Sequence, residues 1–405
     1  MAHAYFDHAS AAPLLPEAVE AMQPFLTDHF GNPSSIHHYG EAPRAAIEHA
    51  RKQVAAFIGT EPNRIVFTSS ATESSNLAVK GIALARQDNG RHIVVSTIEH
   101  SSVSNSARAL EKQGFEVSVV PVDRHGLVSS DGLDRAIRDD TVLVTIQHAN
   151  NEIGTIQPIA DLAAVCHRRG TLLHVDGTAA VGRIPVDVTA LAVDAYAFPA
   201  QSFYGPKGVA ALYLKQGVRP RSLIDGGIQE KGKRAGTENV PGIVGMGMAA
   251  EVAAARLPKW ADTIGALGHR LWNEVPKRIE HIIPTGHATE RLPGHVSFCV
   301  EFVEGEAMLL FLEDEGFAVA SGSACTQKTL KASPVLLAIG LHHGVAQSSL
   351  MLTLGKDNNM SEVDSFLAKL PPIVERLRAM SPLYAKFRRG DDPYAAPEHS
   401  SEGGH

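Results

Sequence analysis

Residues 197–208 read Ala-Phe-Pro-Ala-Gln-Ser-Phe-Tyr-Gly-Pro-Lys-Gly. The stretch begins inside one apolar run, 195–198, and ends where a second apolar run, 209–214, begins. Short apolar runs bounded by glycine and proline are typical of buried strands connected by a turn. These residues therefore predict two buried strands joined by a loop that carries Ser202.

Five further apolar runs precede this stretch, and helical patterns separate several of them, at 74–83, 126–137 and 159–169. Strand, helix and strand in repeated succession predict a mostly parallel sheet covered by helices on both faces. We therefore expect an α/β fold whose larger part contains a mostly parallel seven-stranded sheet. The predicted strands are 65–68, 92–96, 117–120, 142–146, 172–175, 195–198 and 209–214.

The chain has 405 residues, more than a single hydrophobic core usually supports, which predicts two domains. The pattern changes near residue 260, where a long amphipathic stretch leads into a second unit. We expect strands there near 295–302 and 350–354, and helices near 306–315 and 361–380. The predicted division is a large domain over 15–259, a smaller α+β domain over 1–14 and 260–388, and a flexible tail over 389–405.

Composition excludes several classes of function. The formal net charge of -7 argues against a general nucleic-acid binder. No apolar run approaches the roughly 20 residues of a membrane span, and the N-terminus lacks a signal-peptide pattern, so we expect a cytoplasmic protein. The three cysteines, Cys166, Cys299 and Cys325, are widely spaced and form no CxxC pair, which predicts neither a disulfide framework nor a zinc site.

Polar residues follow several of the predicted strands, at the sheet edge where ligands bind in this kind of fold. Residues 69–73 follow one strand and open a helix, so they form either a phosphate cradle or a simple N-cap. His100 and Asp176 also follow strands. A lone histidine there is usually a satisfied polar residue, and a lone aspartate is usually a turn residue. Taken one at a time, these residues leave both alternatives open.

Taken together, four segments resemble the cysteine desulfurases, which are NifS/IscS-like members of the class V aminotransferase group. Segment 69–76 is similar to their Gly-Ala-Thr-Glu-Ser motif, 234–239 to Arg-X-Gly-Thr-Glu-Asn, and 321–325 to Ser-Gly-Ser-Ala-Cys. Segment 199–208 is similar to Ser-X-His-Lys-X-Tyr-Gly-Pro-Lys-Gly. The resemblance covers nearly the whole chain and implies the fold of type I transferases that depend on pyridoxal phosphate (PLP).

The resemblance also implies roles around the cofactor. Thr72 would contact the PLP phosphate, His100 would stack on the pyridine ring and move protons, and Asn151 would lie near O3′. Asp176 would pair with the pyridine nitrogen and hold it protonated, which makes the ring an electron sink.

Two further segments of the resemblance concern a partner subunit and sulfur. Thr237 would reach the phosphate site of a neighbouring subunit, which implies a homodimer. Cys325 would attack the substrate sulfur and carry it as a persulfide, or ligate iron while a cluster forms. Both tasks need the thiolate, which Lys328 and Lys331 would favour if they face it.

Five positions depart from the family pattern. Ser202 stands where the family has the lysine that forms an imine with PLP, and Gln201 and Pro199 replace phosphate contacts. Ala179 replaces a glutamine near O3′, and Met351 replaces the arginine that grips the substrate carboxylate. Losing the lysine removes the imine anchor and a base worth about 10²–10⁴-fold in rate. We therefore expect PLP to bind non-covalently through the residues around Gln201 and Ser202, or to be absent.

Three functions remain open at this point. The first is a sulfur carrier that uses Cys325 as a persulfide carrier or transient iron–sulfur cluster ligand, with an iron–sulfur scaffold or sulfur-acceptor protein as partner. The second is an active desulfurase or lyase with non-covalent PLP. The third is a non-enzymatic dimeric scaffold, a pseudoenzyme.

Overall fold

The computed structural model describes residues 3–322 and 332–394. Its strands are β1 (Ala4–Tyr5), β2 (Ile65–Thr68), β3 (His92–Ser96), β4 (Glu116–Val120), β5 (Thr141–Gln147), β6 (Leu172–Asp176), β7 (Ala195–Pro199), β8 (Ala210–Leu214), β9 (Ile282–Pro284), β10 (His295–Val300), β11 (Phe317–Ala318) and β12 (Ser349–Thr353). Its helices are α1 (Pro16–Leu26), α2 (His38–Phe57), α3 (Ala71–Ala85), α4 (Ser101–Glu111), α5 (Ser130–Ala136), α6 (Ile159–Arg168), α7 (Val240–Arg278), α8 (Gly305–Asp314), α9 (Pro334–Ala338), α10 (His343–Ala346), α11 (Met360–Ala379) and α12 (Pro382–Arg388).

The central sheet has seven strands in the order β2-β8-β7-β6-β5-β3-β4. Each predicted strand overlaps one of them, and the prediction of a mostly parallel sheet is confirmed. The exception is β8, which is antiparallel to both of its neighbours. The connection from β7 to β8 is a short loop, and parallel neighbours need a crossover of a dozen or more residues. The quoted stretch 197–208 therefore determines where the sheet reverses.

Because β2, β3, β5, β6 and β7 share one direction, their carboxyl ends lie along the same edge of the sheet. The loops that leave this edge carry the polar residues singled out by sequence, from Ser69 after β2 to Ser202 after β7. This edge is where open α/β sheets bind their ligands.

Helices cover both faces of this sheet, and alternate residues of one strand face opposite cores. On β7, Phe198 packs with Met246 of α7 and Val54 of α2, whereas Ala197 belongs to the core formed with α3 and α4. Phe198 and Ala197 are both fully buried. The strands therefore read as continuous apolar runs, as expected for a sheet covered on both sides.

The second unit contains the antiparallel sheet β12-β10-β9 and the short parallel pair β1-β11. Its core includes a cluster of three aromatic rings, in which Phe6 lies 6.1 Å from Phe317 and 5.8 Å from Phe366. The chain start is thus anchored in this second unit. The predicted boundary between residues 259 and 260 falls within α7, which continues without interruption, and the division into domains stays a prediction.

Helix α7 has 39 residues and is long and apolar enough to cross a membrane by length and composition. However, 61% of its most apolar window is buried inside the protein. Its buried residues, such as Met246 and Ala250, pack in the same core as α2. The core helix of a globular protein passes the same test, and this burial is typical of such a helix.

The predicted tail begins at Arg389, directly after α12. Its described part, 389–394, ends with Tyr394, whose ring stacks 6.2 Å from Phe302 and lies 4.9 Å from His342. The beginning of the tail therefore contacts the second unit, and residues 395–405 lie outside the described part of the chain.

Helix α8 offers a matched pair of leucines. Leu312 is fully buried and Leu310 is 68% exposed. We expect Leu312→Ala to lower the free energy of unfolding by about 2–5 kcal/mol, because it leaves a cavity in the core. Leu310→Ala is expected to change it by less than about 0.5 kcal/mol. Urea denaturation followed by circular dichroism measures both, and equal effects would contradict this assignment of the core.

Candidate active site

A cavity of about 300 Å³ lies at the carboxyl edge of the central sheet. Loops from both units line it, including Ala9 from the N-terminal segment and Ala320 near β11. Among the side chains predicted from sequence, the cavity brings together Thr72, His100, Asn151, Asp176 and Gln201.

The start of α3 forms one wall of the cavity. Ser70 is the N-cap and its hydroxyl accepts from the Glu73 N–H at 3.1 Å, so the simple capping interpretation of this segment holds for Ser70. Glu73 is held in turn by Ser69 and by Arg234 Nε at 3.0 Å. The Thr72 hydroxyl is exposed and makes no hydrogen bond to the described residues. The helix terminus and this hydroxyl can therefore both receive an anionic group.

His100 caps the next helix, α4. Its Nδ1 accepts from the Ser102 N–H at 3.1 Å and lies 2.8 Å from the Ser102 hydroxyl. An Nδ1 that accepts the backbone bond leaves the proton on Nε2 in the neutral ring. The imidazole is exposed at the rim of the cavity. His100 can therefore donate from Nε2 to a ligand without losing its structural bond.

Asp176 ends β6 and is 5% exposed. Its Oδ1 accepts from the Thr178 N–H at 3.0 Å and from the Thr178 hydroxyl at 2.6 Å. The carbonyl oxygen of Thr178 accepts from the Ser202 hydroxyl at 2.6 Å. Thr178 thus links Asp176 to Ser202 through hydrogen bonds. These bonds occupy one oxygen of the Asp176 carboxylate and the hydroxyl proton of Ser202.

Glu99 lies buried next to the cavity, and no sequence pattern had assigned a role to it. Its Oε1 accepts from the Gln147 N–H at 2.9 Å and from the Ser96 hydroxyl, while Oε2 has no partner among the described residues. Burial, with a smaller effect of the Asp176 charge, raises the pKa of Glu99 to about 8. In the sequence, the only indication of a role for Glu99 was its position between a predicted strand and His100.

Tyr196 and His148 fix the backbone beneath Asp176. The two side chains are hydrogen-bonded at 2.8 Å, and burial lowers the pKa of His148 to about 4, so the imidazole is neutral. A Cβ placed on Gly177 would lie 2.0 Å from the Tyr196 ring. Only glycine therefore fits between Asp176 and Thr178 at this position.

The described lining of the cavity contains the carboxylates Asp176 and Glu152 and neither lysine nor arginine. Lys207 is exposed and does not line it. Three replaced positions line the cavity with small or apolar side chains, namely Ala179, Pro199 and Met351.

The remaining predicted residues lie elsewhere. Ser202 lines a smaller cavity next to the first. Thr237 is exposed and lines neither cavity. Cys325 lies outside the described residues, as do Lys328 and Lys331, and its roles as nucleophile and metal ligand stay predictions. Across residues 3–322 and 332–394, no group of His, Cys, Asp and Glu side chains has the arrangement of a metal site.

The residues that flank Cys325 on either side lie close to Glu152. Gly322 lines the cavity, and a Cβ on it would be 2.5 Å from Glu152 Oε2. Ser333 donates its hydroxyl hydrogen bond to the same oxygen. Burial raises the pKa of Glu152 to about 7, and the Ser333 bond opposes this shift. The described chain therefore enters and leaves 323–331 beside the cavity.

The donor set fits PLP only in part. The N-terminus of α3 with Thr72 would hold a phosphate, and Asp176 would hold the pyridine nitrogen. The described lining has no amine, and the hydroxyl of Ser202 is bonded to Thr178. The covalent cofactor arrangement therefore does not fit these residues.

Known proteins are similar to this chain in sequence and in fold. The pattern of the family described as "Aminotransferase class-V" matches residues 4–366. "Cysteine desulfurase IscS 1" of Archaeoglobus fulgidus is 48% identical over 382 residues, which cover 94% of this chain and 100% of that protein. "Cysteine desulfurase IscS" of Dictyoglomus turgidum is 46% identical over 384 residues, covering 95% and 98%.

Solved structures agree with the sequence comparison. A NifS-like protein superposes with a TM-score of 0.87 at 35% identity, covering 93% of this chain and 100% of its own. A NifS-like protein from Rickettsia africae gives a TM-score of 0.82 at 27% identity, covering 92% and 99%. The prediction of the PLP-dependent transferase fold is confirmed.

Restoring an amine at position 202 tests the site directly. We expect Ser202→Lys to give an imine absorbance band with added PLP, because an amine then replaces the hydroxyl at the end of β7. Ser202→Met has a side chain of similar length without an amine and is the matched control. The unchanged protein is expected to give no band above a free-PLP control. A band of equal strength in all three proteins would contradict the site as described.

The buried Glu99 predicts a pH dependence of stability. Its pKa is about 8 in the folded protein against an ordinary value of 4.5, so the folded state holds a proton that the unfolded chain has lost. The contribution of Glu99 to stability must then fall as pH rises from about 4.5 to about 8. In Glu99→Gln we expect the decline between about pH 7 and pH 8 to be shallower, by up to about 1.4 kcal/mol per pH unit.

Denaturant titrations at the two pH values measure this slope. The window lies above the range in which buried histidines such as His148 titrate, so their opposite effect stays out of the comparison. Glu111→Gln, an exposed position on α4, is the control and is expected to keep the native slope. An unchanged slope in Glu99→Gln would refute the buried, protonated carboxyl.

Proposed function

The chain belongs to the class-V aminotransferase family, and on that premise we propose that it is a cysteine desulfurase-like protein of sulfur transfer. Cysteine desulfurases typically use PLP. This chain works in sulfur transfer or iron–sulfur cluster assembly without a PLP imine at position 202. The observation that carries the proposal is a cavity whose described lining contains no amine, next to a Ser202 hydroxyl that is bonded to the Thr178 carbonyl.

Cys325 is the sulfur carrier in this proposal. Its thiolate attacks the outer sulfur of a persulfide donor, the S–S bond of the donor breaks, and the donor leaves as a thiolate. The product on Cys325 is a persulfide, and no outside oxidant or reductant is consumed. The other two cysteines are unsuited to this step, because burial raises the pKa of both Cys166 and Cys299 to about 12.

In this proposal, the described residues near Cys325 position the reacting groups and do not themselves form or break covalent bonds. Before the Cys325 segment, the Gly322 N–H donates to the Ser349 hydroxyl close to Glu152, and after the segment Ser333 donates to Glu152. His100 at the cavity rim keeps the proton on Nε2 available for donation. The described chain thus enters and leaves the segment that carries sulfur beside a pocket whose described lining contains no amine.

The partners in this proposal are a second copy of the chain and an acceptor of sulfur. Arg234 ties the loop that bears Thr237 to Glu73 at the start of α3. In this proposal the loop contacts a neighbouring subunit, as the family resemblance implies. A scaffold on which iron–sulfur clusters form, or another sulfur-acceptor protein, would take the sulfur in the cytoplasm. As an alternative to persulfide transfer, Cys325 would ligate a transient cluster.

A second candidate is a desulfurase or lyase with non-covalent PLP. It is favoured by the position of Asp176 at the cavity floor and by the free hydroxyl of Thr72. The spectrum of the unchanged protein with added PLP separates this candidate from the first. A purely non-enzymatic scaffold is the third, and it predicts that Cys325 is dispensable.

Persulfide loading tests the first proposal. After anaerobic incubation with glutathione persulfide, we expect one added sulfur atom on Cys325, detected by mass spectrometry of the digested protein. Cys325→Ala is expected to lose this sulfur, whereas Cys166→Ala and Cys299→Ala keep it, because these two thiols are buried and protonated. Equal loading of Cys325→Ala and the unchanged protein would rule the proposal out.

A further inference from the structure

A second, smaller cavity of about 50 Å³ opens beside the first. The two cavities share part of their lining, namely Ala9, Asn151, Thr178 and Ala179. A ligand in the larger cavity can therefore extend one small group into the smaller one.

The ionisable side chains that line the two cavities differ. The described lining of the larger one contains Asp176 and also Glu152, whose pKa burial raises to about 7, while that of the smaller one contains Arg183 and no carboxylate. An electrostatic difference over so short a distance orients a ligand by its charged end.

Arg183 is partly buried, and the backbone carbonyl of Leu354 is its hydrogen-bond partner. No carboxylate among the described residues forms an ion pair with it. Burial lowers the pKa of Arg183, yet arginine stays protonated at any physiological pH. A guanidinium in a small cavity without an acidic partner is most stable with an anion, and its planar shape matches a carboxylate.

His8 is a second observation that points to a ligand. It is 8% exposed, and its Nδ1 has no hydrogen-bond partner among the described residues. Burial, assisted by the Arg183 charge, lowers the pKa of His8 to about 4, so the ring is neutral. A buried ring nitrogen without a partner carries a free-energy cost, which a bound polar group in the cavity would remove.

Asn151 and Ser202 also line the smaller cavity. The side-chain amide of Asn151 makes no hydrogen bond to the described residues and can donate to an oxygen in either cavity. Ser202 is short and turned towards the Thr178 carbonyl, so it leaves the space open.

We propose that Arg183, His8 and Asn151 form a binding site for the carboxylate group of a small ligand. The position at which the family resemblance places a carboxylate-binding arginine is occupied here by Met351. Arg183 thus supplies a positive charge from the smaller cavity, which Asn151 also lines. This inference goes beyond the proposed sulfur transfer and holds whether or not Cys325 carries a persulfide.

Equilibrium dialysis with radiolabelled acetate, at constant ionic strength and without PLP, tests the site. Acetamide is the neutral compound of the same size. We expect unlabelled acetate to displace the label and acetamide to leave it bound, since the guanidinium recognises the charge. Arg183→Gln is expected to weaken acetate binding at least about ten-fold, the loss of a charge-assisted hydrogen bond.

Two further variants serve as controls for Arg183→Gln. Arg183→Lys retains the charge and is expected to keep part of the acetate binding, even if Arg183→Gln folds poorly. Lys356→Gln removes a nearby charge that pairs with Asp357 at 2.7 Å, and it is expected to change binding less than about two-fold. Equal losses in Lys356→Gln and Arg183→Gln, or displacement by acetamide, would overturn the proposal.

A competition with L-alanine identifies the source of the carboxylate. Stronger displacement by L-alanine than by acetate supports a ligand whose amino group lies near Asp176 in the larger cavity. Equal or weaker displacement supports a free small anion. Either result is compatible with the site, and failure of acetate binding leaves the persulfide experiment on Cys325 unaffected.

Discussion

The proposed function depends on one interaction, the hydrogen bond from the Ser202 hydroxyl to the Thr178 carbonyl. A lysine at the end of β7 would extend an amine into the cavity, whereas serine turns to the backbone of the neighbouring loop. Thr178 in turn gives both its N–H and its hydroxyl to Asp176. Asp176, Thr178 and Ser202, which lie near the ends of β6 and β7, are thus linked to one another by hydrogen bonds. These bonds connect the loops beside a pocket whose described lining is polar at Asp176 and contains no amine.

The groups beneath that pocket are neutral for one physical reason, which is burial. Water is excluded around Glu99 and His148, so the carboxyl keeps its proton and the imidazole does not take one up. Asp176 lines the larger cavity, Arg183 lines the smaller one, and Asn151 lines both. A carboxyl group in one cavity and a guanidinium in the adjoining one favour ligands that carry both a positive and a negative end, as described above for the acetate and alanine experiments.

Much of the fold could be predicted from sequence, because a sheet covered on both faces leaves an unambiguous record of apolar runs. The convergence of Thr72, His100, Asn151 and Asp176 also follows from sequence, since each comes after a strand of the same direction. Arg183 and His8 could not be found in this way. They lie in loops of unrelated chain positions, and only the packing of the N-terminal segment against the second unit brings them together. The protonation of Glu99 depends likewise on burial that no local pattern records.

The length of α7 has a consequence for how the whole chain unfolds. At about 1.5 Å per residue the helix spans roughly 58 Å, and its two halves contribute buried residues to different cores, Met246 to one and Leu271 to the other. Melting either core removes the support that keeps half of the helix folded. The two units are therefore thermodynamically linked through one continuous backbone, and heat denaturation should proceed as a single cooperative transition.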